Sequence, residues 1–206
     1  MTIDKKYVDQ IINVTSKAAI ASSHLVGQKD KIAADQAAVD AMRFELNKID
    51  MTGEIVIGEG SLDEAPMLYN GEILGKKVGP KFDIAVDPLE GTNFAANNLP
   101  GALSVIAITE KGNLFKAPET YMHKIATAKV EKGLIDLDFS IKKNIENLAD
   151  FQNTIPSNLT ACLLDRPRHK KIIDELLALK VKVKLFTDGD VSAALLVTKP
   201  IYDVDI

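Results

Sequence analysis

The stretch DIAVDPLEGTNF, residues 83–94, sets two carboxylates three positions apart, Asp87 and Glu90, with Gly91 and Thr92 directly behind them. The apolar residues before Asp87 read as a buried strand. Pro88 fixes its own φ and has no N–H for a ladder, so the strand is expected to end at Asp87 and turn. Such a turn aims both carboxylates off the strand's C-terminal edge. Two charges placed so repel unless a cation lies between them, and hard oxygen ligands suit Mg2+ or Mn2+. Gly91 lets a ligand approach the backbone closely, and Thr92 adds a hydroxyl. An acidic surface turn with a threonine cap is the other reading of the same residues.

Two more carboxylates could join them. In IGEGSLDEAPM, Glu59 stands between Gly58 and Gly60, with Asp63 and Glu64 following. Flanking glycines are costly unless the backbone needs an unusual angle or a close contact, although a solvated turn would also carry them. In KDKIAADQAAVDAMRFEL, Asp35 is three residues from both Ile32 and Ala38, four from Val39 and seven from Met42. That spacing puts it on the apolar stripe of its own helix. A buried carboxylate is costly unless paired or metal-bound, whereas an early-turn aspartate can also be held by the helix dipole. Asp35, Glu59, Asp87 and Glu90 form a set without histidine, which argues against zinc. With a hydroxyl nearby, the set suits metal-assisted phosphate hydrolysis.

The second half offers anion and polyol binders. LLDRPRHKKIIDELLALK reads as strand, Arg166-Pro167-Arg168, then helix, with Pro167 in the first turn. Two arginines beside a helix start suit a phosphate through charge and fork geometry. KLFTDGDVSAALLV repeats the pattern with Asp188-Gly189-Asp190, whose carboxylates either accept sugar hydroxyls or cap the helix. Loops at strand C-terminal ends are where open α/β sheets bind ligands. His24, His123 and His169 are scattered, and the single cysteine, Cys162, sits in LTACLL as a small buried hydrophobe.

These residues must be positioned by regular elements. The apolar periodicity predicts helices over 7–26, with Gly27 as a stop, and over 31–46, with Asp30 as a cap. EIVIGEG, FDIAVD and ALSVIAIT read as strands, Lys111-Gly112 as a turn, and residues 113–128 as two strand pieces broken at Pro118. A regular run follows: helix over 140–151, strand NLTACLLD, helix 167–179, strand VKVKLF, helix 191–198, and IYDVDI opening another strand. The change of texture predicts a metal-binding phosphatase subdomain over 1–137 and a C-terminal α/β substrate-binding subdomain over 138–206. A net charge of −4 with dispersed lysines argues against nucleic acid or an anionic membrane as partner. With no apolar run near ~20 residues, no signal core and one cysteine, a cytoplasmic protein without disulfides is expected.

Six blocks, KIAADQAAVDAMR, IVIGEGSLDEAPMLYNGE, DIAVDPLEGT, APETYMHKIA, RPRH and DGDV, occur in the order found in a known family and span nearly the whole chain. DPLEGT resembles the Asp-Pro-x-(Asp/Glu)-Gly-Thr motif of the lithium-sensitive, metal-dependent phosphatases. The set together resembles class II fructose-1,6-bisphosphatase of the GlpX type. The resemblance implies a mixed α/β fold with layered α-β-α-β-α sugar-phosphatase architecture. It implies hydrolysis of the 1-phosphate of fructose 1,6-bisphosphate in gluconeogenesis, with Mn2+ or Mg2+ as cofactor. Asp35, Glu59, Asp87 and Glu90 would be metal ligands; Glu90, Gly91 and Thr92 would meet the scissile phosphate. Thr92 would orient the attacking water, with Asp63 as its acid/base partner. Tyr121, Arg166, Pro167, Arg168, Asp188, Gly189 and Asp190 would line the substrate site, the two arginines serving the distal phosphate. A homo-oligomer is expected for the full-length parent.

Against that family the chain stops early. IYDVDI would lead into a glycine-rich loop bringing one more substrate contact and one more metal-ligating glutamate. The expectation is therefore a C-terminally incomplete fold of reduced or lost activity. A related phosphatase, acting on sedoheptulose bisphosphate or an inositol phosphate, and a non-catalytic phosphosugar-binding remnant are the alternatives.

Overall fold

The computed structural model describes residues 3–60, 68–118, 120–128 and 130–206. They gather into two compact units, 1–120 and 121–206.

In the first unit, α1 (Lys5–Ser23) starts at Asp4, whose carboxylate accepts the Lys6 N–H at 2.8 Å. The second helix, α2 (Lys31–Leu46), starts at the expected Asp30 cap, which accepts the Ala33 N–H at 2.9 Å. α1 ends at Ser23, short of Val26, and Gly27 at φ +79° turns the connector. Ala34, Ala38, Val39, Met42 and Leu46 form the buried stripe of α2. Ile32 does not belong to it: the residue is 75% exposed, so Asp35 borders the stripe instead of lying within it.

Among the described residues, β1 (Thr52–Ile57), β2 (Ile73–Leu74), β3 (Lys81–Glu90) and β4 (Leu103–Glu110) form one sheet in the order β2-β1-β3-β4. β1 and β3 are parallel, and the outer pairs are antiparallel. Period-two alternation turns Phe82, Ile84 and Val86 into a core shared with Ala18, Met42 and Leu46 of the helices. Burying an apolar side chain such as Met42 or Ile84 contributes roughly 1.5–3 kcal/mol, which is why the helix pair stays on this face. Asp83, Ala85 and Asp87 take the opposite face by the same alternation.

β3 does not stop at Asp87, as the proline suggested. It runs through Pro88 to Glu90, and the register slips by one residue between Asp87↔Val105 and Glu90↔Leu103. Pro88 lies in this bulge, beyond Ala85, the last residue paired with β1, so its missing N–H is tolerated. A second slip lies in β1, between Ile55↔Ile84 and Ile57↔Ala85. After β4 the expected Lys111-Gly112 turn forms, and the buried Asp83 holds it by accepting the N–H of Gly112 at 2.7 Å and of Leu114 at 3.3 Å. The two strand pieces expected over 113–128 are not formed among the described residues; bonds such as Ala117 N–H to the Phe115 carbonyl at 3.1 Å are local.

In the second unit, α4 (Ile141–Phe151) is capped by Ser140, and β5 (Thr160–Leu164) pairs in parallel with β6 (Lys182–Phe186). α5 (Lys170–Ala178) connects those strands after a single 3-10 turn at Pro167–His169, and α6 (Asp190–Leu196) follows β6. The core holds Ile145, Leu148, Leu159, Ala161, Leu176 and Val181. Val130 and Ile135 pack against it, so the division falls at 120/121 and not at the 137/138 boundary read from the sequence. IYDVDI forms a 3-10 turn, Pro200–Tyr202, and no assigned strand follows. The Asp205 N–H does donate to the Thr160 carbonyl, and the Cys162 N–H to the Ile206 carbonyl, both at 2.9 Å. Residues 205–206 thus make ladder bonds beside β5. Among the described residues no helix is long and apolar enough to cross a membrane.

Candidate active site

Because β1 and β3 are parallel, their C-terminal ends reach the same edge of the sheet. Glu59 follows the end of β1 by two residues, and Asp87 and Glu90 stand at the end of β3. A short helix, α3 (Thr92–Ala96), follows at once. The α1–α2 connector is tied to it: the Gly27 N–H donates to the Ala95 carbonyl and the Lys29 N–H to the Ala96 carbonyl, both at 2.9 Å. These bonds draw the start of α2, and with it Asp35, toward the helix after Glu90. Gly91 has φ +81°, and a Cβ there would lie 2.9 Å from the Phe94 ring, so both backbone and space require glycine.

The carboxylates fall within one electrostatic field. Burial first, then the charge of Asp35, pushes the Glu59 carboxyl up to about 7, against the pull of a Leu68 N–H and of Arg43. Asp87 is pushed far above the carboxylate range by burial, by a hydrogen bond with the Glu90 carboxyl, and by the charges of Glu90, Glu59 and Asp35. Burial also raises Asp35. A hydrogen bond between two carboxyls requires a proton on one of them. Asp35 Oδ1 and Glu59 Oε2 are buried and have no hydrogen-bond partner among the described residues.

As the side chains stand, no three His, Cys, Asp or Glu of the described residues close round an ion. The donor set nevertheless fits a divalent cation. Two orphaned buried oxygens lack a hydrogen-bond donor, and the Asp87–Glu90 pair is reconciled only by a proton. All are hard oxygen donors of the kind Mg2+ and Mn2+ take. Asp63, the expected acid/base residue, lies outside the described residues, and Thr92 is the half-buried first residue of α3.

Sequence reasoning missed the segment 68–72, which runs back past Glu59; the Asn70-Gly71 turn pair was its available signal. It also missed Arg43, whose Nε and Nη2 donate to the two carboxylate oxygens of Glu72 at 2.8 and 3.1 Å. That bidentate pair anchors the segment to α2, with Glu72 only 9% exposed.

In the second unit the expected substrate residues form smaller groups. The Arg168 guanidinium sits over the Tyr121 ring, 4.1 Å from its centroid. Arg166, at the end of the β5 loop, donates through Nη1 to the Asp165 carbonyl at 3.2 Å, and Pro167 opens the 3-10 turn. Gly189 at φ +79° precedes α6 and supplies no side-chain cap. Asp190, the first residue of that helix, is ion-paired with Lys124, and Asp188 is half-buried just ahead of it. His169 Nδ1 donates to the Leu164 carbonyl at 2.8 Å, a structural bond. Cys162 is half-buried, its thiol raised by burial and donating to the Ala193 carbonyl at 3.4 Å.

Comparison with known proteins adds the family. The model of the family "Bacterial fructose-1,6-bisphosphatase, glpX-encoded" matches residues 5–206. Proteins of Prochlorococcus marinus strains MIT 9303 and MIT 9313 are each 47% identical over 193 residues, covering 94% of this chain and 58% of theirs. A Synechococcus elongatus protein is 46% identical over 198 residues, covering 90% of this chain and 57% of its own. All three are named "D-fructose 1,6-bisphosphatase class 2/sedoheptulose 1,7-bisphosphatase". The chain thus spans less than two thirds of the length of these relatives. The mixed α/β architecture, the six ordered sequence blocks and the match over residues 5–206 agree, and the chain belongs to the glpX-encoded bacterial fructose-1,6-bisphosphatase family.

Proposed function

We propose that this protein is a metal-dependent phosphoric monoester hydrolase that removes the 1-phosphate of fructose 1,6-bisphosphate to leave fructose 6-phosphate. The observation that supports it most directly is the field of buried carboxylates, with orphaned oxygens on Asp35 and Glu59, at the shared edge of β1 and β3. Asp35, Glu59, Asp87 and Glu90 would hold Mn2+ or Mg2+. The cation, when bound, neutralises charge on the phosphoryl oxygens and makes hydroxide available at neutral pH. Thr92 orients the attacking water through its hydroxyl, and Asp63 takes up the proton. Gly91, lacking a Cβ, keeps the backbone close to the phosphate. In the second unit, Arg166 and Arg168 are assigned to the distal phosphate, the arginine fork matching phosphate oxygens. Tyr121, Pro167, Asp188, Gly189 and Asp190 are assigned to the sugar.

A second substrate, sedoheptulose 1,7-bisphosphate, is favoured by the double name of the curated relatives. It has the same terminal phosphates on a chain one carbon longer, so the same residues serve it. A place in cytoplasmic gluconeogenesis and a homo-oligomeric assembly belong to this reading. The test is phosphate release from each bisphosphate with and without Mn2+, by the chain and by Glu90→Gln. Turnover that needs Mn2+ and is lost in the variant supports the proposal. Turnover indifferent to metal, or unaffected by Glu90→Gln, contradicts it.

A further inference from the structure

Segment 68–72 does more than return the chain to β2. Each of the three residues centred on Glu59 is hydrogen-bonded to it. The Gly58 N–H donates to Asn70 Oδ1 at 2.7 Å, the Glu59 N–H to the Leu68 carbonyl at 3.0 Å, and the Asn70 N–H to the Gly60 carbonyl at 3.1 Å. The approach is close enough that a Cβ on Gly58 would lie 2.2 Å from the Leu68 carbonyl oxygen. The segment itself is fixed. The Gly71 N–H donates to the Ile55 carbonyl at 2.7 Å, the Ile55 N–H to the Glu72 carbonyl at 2.9 Å, and Glu72 is held by Arg43.

One of these bonds differs in kind. Main-chain bonds flank it on either side: the Ile55 N–H donates to the Glu72 carbonyl and the Glu59 N–H to the Leu68 carbonyl. Between them the Gly58 N–H donates to the side chain of Asn70 and not to main chain. The Leu68, Gly71 and Glu72 bonds are made by main chain and survive any substitution there. The Asn70 bond is specified by the side chain. Asn70 is itself exposed, so it adds little to the core.

We propose that Asn70 is a positioning residue for the metal centre: its amide oxygen fixes Gly58 and thereby aims the carboxylate of Glu59. The proposal rests on the reading of Glu59 as a metal ligand. Groups that orient a ligand from behind commonly change metal affinity by 10–100-fold.

The experiment is Mn2+ titration of the 206-residue chain by calorimetry, with melting of the metal-free protein as the second readout. Asn70→Ala removes the acceptor, Asn70→Asp keeps one, and Glu59→Gln removes the ligand. The expected result is roughly tenfold weaker Mn2+ binding by Asn70→Ala, near-wild-type binding by Asn70→Asp, and no change in the metal-free melting temperature of Asn70→Ala. Binding by Asn70→Ala within twofold of wild type, with Glu59→Gln defective, overturns the role of Asn70 and leaves the metal site standing. A metal-free melting temperature lowered in Asn70→Ala also overturns it, since the bond would then serve the fold at large. Absence of Mn2+ binding by wild type, or undiminished binding by Glu59→Gln, overturns the metal-site reading and this proposal with it.

Discussion

Replacing Glu59 by glutamine should make the metal-free protein more stable while removing its capacity to bind metal. The glutamine keeps the shape and loses the charge. In the folded chain the Glu59 carboxyl is raised from 4.5 to about 7, chiefly by burial and then by Asp35. A folded pKa above the unfolded one means that the folded state binds the proton more tightly. Stability from this group is therefore fully present below pH 4.5 and is lost as pH rises through about 7. The interval from 4.5 to about 7, at about 1.36 kcal/mol per pH unit, amounts to about 3 kcal/mol at pH 8. At pH 5 the same calculation leaves less than about 1 kcal/mol. Glu59→Gln should recover that difference. For a chain of this size, about 3 kcal/mol corresponds to a melting temperature higher by on the order of 10 °C at pH 8, with little change at pH 5. The assay is thermal and urea denaturation in a metal chelator at both pH values, followed by circular dichroism for the transition of the first unit. Equal effects at pH 5 and pH 8, or a net destabilisation at pH 8, would refute the reasoning, because the charge would then not be what strains the site.

Other perturbations follow from the same geometry. Mn2+ binding near pH 7 should release between about one and two protons, about one from the Asp87–Glu90 pair and about half of one from Glu59; calorimetry in buffers of differing ionisation enthalpy measures this, and a count of zero would contradict it. Gly58→Ala should cost at least about 2 kcal/mol, because the added Cβ meets the Leu68 carbonyl oxygen at 2.2 Å and Ile55 Cγ2 at 2.8 Å; urea denaturation of the metal-free chain reads it, and an unchanged midpoint would show that the segment gives way freely. Arg43→Ala leaves the buried Glu72 carboxylate without its fork and should cost roughly 3 kcal/mol, part of which Glu72→Gln in the same chain should restore; the denaturation midpoints of the two single variants and the double variant form the cycle that checks it. Tyr121→Ala removes the surface on which Arg168 lies and should raise KM for fructose 1,6-bisphosphate by about tenfold without lowering stability, Tyr121 being 81% exposed; steady-state kinetics and a melting curve together separate this from a packing defect.

Much of this was legible in the residues, and the exceptions share a cause. The Asp30 cap and the alternating helices and strands of the second unit are local properties, set by side chains near one another in sequence. What escaped depends on neighbours. Pro88 ended the strand on paper because a proline breaks a ladder, yet at this point β1 has already stopped pairing and no ladder bond is lost. Residues 113–128 read as two strand pieces, but among the described ones no partner strand is found and none forms. Ile32 matched the helical spacing, and only the placement of α2 against the sheet decided that it faces outward. The division at 120/121 is set by Val130 and Ile135, whose apolar side chains could have joined either core by sequence alone. The Asn70 bond to Gly58 escaped because its partner lies twelve residues away.

One strand, β3, carries two aspartates on the same face in opposite circumstances. Asp83, at its entrance, is buried, yet the N–H groups of Gly112 and Leu114 and the ammonium of Lys111 outweigh that burial and hold it ionised. Asp87, four residues on, is raised by burial and by the carboxyls of Glu90, Glu59 and Asp35, which favour its protonated form. The entrance aspartate is a finished structural part, and an apolar replacement there would strand the N–H groups of Gly112 and Leu114. At the exit, neutral residues would relieve the fold. A search that rewarded stability alone would keep Asp83 and erase Asp87 and Glu59. The exit ends of β1 and β3 therefore carry carboxylates that work against folding until a positive charge lies beside them.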